Sequence, residues 1–88
     1  MSVFHFHLSG SDPVHDYEGT ELPGTDAARE YAIRSARSLL SADLLRGEFN
    51  IRRGFDIRDS AGQPIMQVPF LEAIDLSHLE PVIDPNQA

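Results

Sequence analysis

Apolar and polar positions alternate strictly at the start of the chain. Phe4, Phe6 and Leu8 fall on one side; Val3, His5 and His7 fall on the other. Period two with aromatic residues predicts a strand over Val3–Leu8 whose phenylalanine face meets the core. Ser9-Gly10-Ser11-Asp12-Pro13 has turn composition, so Val14–Tyr17 is expected to return as a short partner strand. Glu18-Gly19-Thr20-Glu21-Leu22-Pro23-Gly24 reads as a loop.

The period then lengthens to that of a helix, from about Asp26 to Arg46. Ala28, Ala32, Ile33, Ala36, Leu39, Leu40 and Leu44 share an arc of about 160°. Small residues fill the first half of this stripe and leucines the second. The helix is therefore expected to approach its sheet closely at the start and to lean away later. Thr25 or Asp26 is the expected N-cap. Glu30 and Arg34 are spaced for a favourable pair on the outer face, and Gly47 is a natural stop.

Strand character reappears over Phe49–Arg58, where Phe55 and Ile57 alternate with Asp56 and Arg58. Gly54 marks either a bulge or the true strand start. Asp59-Ser60-Ala61-Gly62 is a tight hairpin turn, and Ile65–Val68 is its return strand, bracketed by Pro64 and Pro69. Phe70–Ile74 fits a single helical turn. The layout is β-β-α-β-β: an α+β domain over residues 1–74, with a small antiparallel sheet and one long helix on one face. Residues 75–88, with Pro81 and Pro85, are expected to be a tail or arm.

Composition narrows the picture. Eighty-eight residues make one domain, and a chain of this size buries only roughly 60% of its unfolded surface. There is no cysteine, so neither a disulfide nor a cysteine-built zinc site can help; a partner subunit can. No apolar run reaches membrane length and the N-terminus lacks secretory features, so the expectation is a cytoplasmic protein without a membrane segment.

The net charge is −7. Acids alone occupy residues 1–28 and 72–88, whereas every basic residue is an arginine between Arg29 and Arg58. Overall acidity repels nucleic acid, but Arg34, Arg37, Arg52, Arg53 and Arg58 are candidates for a local anion or nucleic-acid patch. The simpler reading is a solvated, salt-bridged surface.

Three groups carry the remaining chemistry. His5 and His7 leave the same strand face, a spacing that can supply two metal ligands, with His15 or Asp16 as a third; an exposed or interface face is the simpler reading. Asp16, Glu18 and Glu21 can gather cation oxygens, though without the spacing of a calcium loop. Backbone N–H bonds near the helix start explain Asp16 or Glu21 equally well. Asp43 sits inside the leucine stripe. There it is either wet, because the helix overhangs the sheet, or paired with Arg52 or Arg53, or held as a tuned carboxylate in a pocket. Arg29, about 21 Å away along the helix, is out of its reach. The serines have no nucleophile elbow and Tyr17 and Tyr31 no base. The expectation is no enzyme and no cofactor, but a small binding or interaction module whose partner is another protein or a second copy. A regulatory protein contacting nucleic acid and a weak metal-binding module are the alternatives.

The blocks Phe4-His5-Phe6-His7-Leu8, Asp16-Tyr17-Glu18-Gly19-Thr20-Glu21-Leu22-Pro23, Ala27-Ala28-Arg29-Glu30, Asp59-Ser60-Ala61-Gly62 and Val68-Pro69-Phe70-Leu71-Glu72-Ala73 together resemble a family of short bacterial proteins known only as a domain of unknown function. The resemblance covers roughly residues 3–74. Gly24, where such proteins often carry an acid, departs from it, and the tail after Ile74 looks like an addition. The resemblance implies domain limits and carries over no catalytic or binding residue.

Overall fold

The structure, a computed structural model, describes residues 1–75; the expected arm over 76–88 lies outside them. Four strands form one antiparallel sheet: β1 (Ser2–Ser9), β2 (Thr20–Leu22), β3 (Gly54–Asp59) and β4 (Pro64–Pro69), in the order β2-β1-β3-β4. One helix, α1 (Thr25–Leu45), and a 3₁₀ turn (Phe70–Ala73) complete the α+β fold.

Register decides the two faces. Phe6 lies opposite Ile57, and Ile57 opposite Met66; Leu8 lies opposite Phe55, and Phe55 opposite Val68. These residues share one face and meet α1 through Ala28, Ala32 and Ala36, all fully buried, and Leu40. Without side chains beyond Cβ, the alanines let the helix lie close to the sheet. Phe6 packs on Tyr31 with ring centroids 4.8 Å apart, and Phe55 on Phe70 at 5.5 Å. The 3₁₀ turn closes the core, tied to the helix by Arg37 Nε donating to the Ala73 carbonyl at 2.7 Å and by the Arg29–Glu72 pair at 2.9 Å.

The second strand is not where the alternation placed it. Val14 makes only an isolated bridge with Leu8, and β2 forms from Thr20–Leu22, inside the segment expected to be a loop. Asp16 explains the offset. Its Oδ2 accepts the Phe6 N–H at 3.0 Å and its Oδ1 the Gly19 N–H at 3.0 Å. The carboxylate thus fills the gap beside β1 between the Val14 bridge and β2, satisfying a backbone donor that a neighbouring strand would otherwise take. Among the described residues Glu21 accepts no such bond, and neither acid serves the helix start. Gly19 follows at φ 75°, where a Cβ would come within 2.6 Å of Val3 Cγ1, so only glycine lets the chain turn this close to β1.

The helix start also differs from expectation. The N-cap is Gly24, which makes no side-chain capping bond. The Glu30–Arg34 pair is not formed among the described residues. At the other end Gly47 takes φ 77°, and the Glu48 N–H bonds the Asp43 carbonyl while the Gly47 N–H bonds that of Leu44, a Schellman closure. Leu44 and Leu45 are exposed: the last turn overhangs the sheet, and Leu44 leaves the stripe assigned to it. Of the two readings of Gly54 the strand start holds: β3 begins there and not at Phe49, and the register shift falls between Ile57 and Arg58.

Candidate functional site

The sheet face away from α1 is built by the residues that alternate with the core. His5 lies opposite Arg58 and His7 opposite Asp56. The loop carrying His15, Asp16 and Tyr17 borders them, and together these residues line a cleft of about 470 Å³. The expected trio of histidines is therefore brought together. His7 and His15 have ring centroids 4.3 Å apart, and His5 and His7 stack at 6.2 Å.

Hydrogen bonding sets the protonation of each ring. His5 Nδ1 lies 2.9 Å from the Asp16 carbonyl, an acceptor, so it must carry a proton. The Asp16 N–H points at His7 Nδ1 from 3.1 Å, so that nitrogen must be bare and His7 neutral with its proton on Nε2. His15 Nδ1, 3.0 Å from the same atom, is then the donor. Burial holds the His7 pKa below its ordinary value, and a charged His15 pushes it the same way; Asp56 and Asp16 oppose them. For Asp16 burial acts upward, but the N–H groups of Phe6, Gly19 and Glu18 outweigh it and hold the carboxyl below the usual range.

This pattern bears on metal binding. The Asp16 amide occupies the bare nitrogen of His7, and among the described residues no group of three or more His, Asp or Glu side chains is placed to hold a metal ion. Asp16, Glu18 and Glu21 do not gather as cation ligands either, since both Asp16 oxygens serve backbone amides. No described serine hydroxyl is hydrogen-bonded to an imidazole or carboxylate; the one bonded to protein, Ser9, donates to the Gly54 carbonyl.

The five candidate arginines do not form one patch. Arg34 and Arg37 belong to the helix layer, and Arg37 is held by Ala73. Arg58 lies on the histidine face, 2.9 Å from Asp56 and bonded to the Gly62 carbonyl. Arg52 and Arg53 line a common cavity. Asp43 is buried, not wet, and its partners are Arg46 and Asn50 rather than Arg52 or Arg53.

Sequence reasoning found the histidines through their alternation but missed Asp56, which strand register alone places across from His7. No helix among the described residues is long and apolar enough to cross a membrane. No curated protein and no solved structure matches the chain. A family model does match it, over residues 3–71, from the start of the histidine strand to the 3₁₀ turn. The chain belongs to the family described as Domain of unknown function (DUF6894).

Proposed function

We propose that the chain is a small, non-catalytic, cytoplasmic interaction module that pairs with a second copy of itself through the histidine face. The observation that carries this reading is a sheet face left bare by α1 and bordered by Tyr17, whose side chain is 83% exposed, and by Val14, at 54%. Exposed tyrosine beside polar groups is the composition of protein interfaces rather than of inert surface. The charges suit a two-fold partner: Arg58 stands beside Asp16, Asp56 and Asp59, so one patch offers both signs and complements its own copy. A small core gains from such pairing.

Light scattering on a concentration series tests the reading. The expected result is a dimer at tens of micromolar and a shift to monomer in Tyr17→Ala, a substitution at an exposed position that leaves the fold intact. A wild-type chain that stays monomeric at several hundred micromolar overturns it.

A further inference from the structure

Against a chain charge of −7, one cavity is lined by arginines and by no acid. It measures about 340 Å³ and lies between the turn after β1 (Gly10, Ser11) and the segment that leads into β3 (Phe49, Asn50, Ile51, Arg52, Arg53). That volume suits a small molecule. Arg52 is exposed and has no hydrogen-bond or ion-pair partner among the described residues.

Arg53 is held in place. Its guanidinium carbon lies 6.0 Å from the centre of the Phe70 ring, and Nη2 donates to the Asp12 carbonyl at 3.2 Å. Its Nε is buried with no acceptor. A buried guanidinium N–H without a partner costs stability, and the bond to Asp12 is at the long end of the range for such contacts. Nε is closed off from the cavity, so the exposed Nη2 end, held only by that long bond, is what Arg53 offers to an oxyanion.

The segment that carries both arginines is also organised. Asn50 donates to Asp43 Oδ2 at 3.2 Å, and the Asp43 carbonyl accepts from Glu48. The buried Asp43 carboxylate therefore pins the segment that presents Arg52.

We propose that this cavity binds a small anionic molecule, its carboxylate or phosphate group taken by Arg52 and the exposed Nη2 end of Arg53, its body lying against Phe49 and Ile51. The site is separate from the histidine face and stands whether or not that face self-associates. One oxyanion head satisfies both guanidinium groups at once, which chloride does not.

Nitrogen-15 NMR titrations with inorganic phosphate, phenyl phosphate and benzoate, each at constant ionic strength, test this. The expected result is saturable shifts at Ser11, Arg52 and the Arg53 Nε–H, tighter for the phenyl compounds than for inorganic phosphate. Whether phenyl phosphate or benzoate binds more tightly separates a phosphate from a carboxylate ligand. Arg52→Gln, an exposed substitution that keeps the fold, should weaken binding about tenfold or more, whereas Tyr17→Ala should leave it unchanged. Equal shifts with chloride, or unaltered affinity in Arg52→Gln, overturn the proposal.

Discussion

Removing the Asp16 carboxylate would leave two backbone donors, Phe6 N–H and Gly19 N–H, without the oxygens that now accept them at 3.0 Å each. Both bonds are charge-assisted and part-buried, so their joint loss should cost about 2 kcal/mol. For a domain of this size that lowers the melting temperature by roughly 10 °C. Urea unfolding of Asp16→Ala measures it, and amide exchange at Phe6 should accelerate with it. A variant as stable as wild type would mean that water replaces the carboxylate without loss. Asp43 is a different kind of acid. It sits among leucines, yet Arg46 reaches it as an i,i+3 neighbour and Asn50 because the Schellman closure folds the chain back. That closure supplies a partner which the helix face alone lacks.

What decides whether an element can be read from sequence is the range over which its cause acts. β1, α1 and the Asp59–Gly62 turn each follow from local period or turn chemistry, and each forms where that pattern lies. β2 is three residues long and has no period to read; its place is set by a side chain four residues earlier, bonding to another strand. The histidine cleft divides the same way. Alternation puts His5 and His7 on one face, but the approach of His15 depends on the course of the loop, and Asp56 on cross-strand register. The helix stripe is legible in kind and misleading at its end, because nothing in the heptad spacing says where the sheet stops beneath Leu44. Packing at the two ends of α1 should accordingly respond in opposite ways. Ala32 is fully buried against the sheet, so Ala32→Leu forces helix and sheet apart and should cost about 1–3 kcal/mol. Leu45, 88% exposed, should tolerate glutamine within about 0.5 kcal/mol. Denaturant midpoints of the two variants measure the contrast, and equal effects would contradict the overhang.

For the molecule as a whole, the half-buried imidazole and the bonded carboxylate make stability depend on pH in one direction. Folded His7 holds its proton less well than the unfolded chain does, since protonating Nδ1 sets an N–H against the Asp16 amide and the His15 ring. An unfolded histidine takes up its proton near pH 6.5. As pH falls through that value the unfolded state binds a proton that the folded state refuses, and stability drops until the folded ring protonates too. Asp16 extends the loss to lower pH: its folded carboxyl stays charged below the usual range, so the unfolded chain again protonates first. The groups facing His7 from neighbouring segments are His5, His15, Asp16, Tyr17, Asp56 and Arg58, and of the charges that act on it the two acids moderate the effect without reversing it. Melting temperature should therefore be highest above neutrality and fall between pH 7.5 and 5, then fall again through the carboxylate range. His7→Gln should flatten the first step and spare the second. An unchanged first step in that variant would assign it to other histidines and remove His7 as the acid-sensitive support of the loop that walls the cleft.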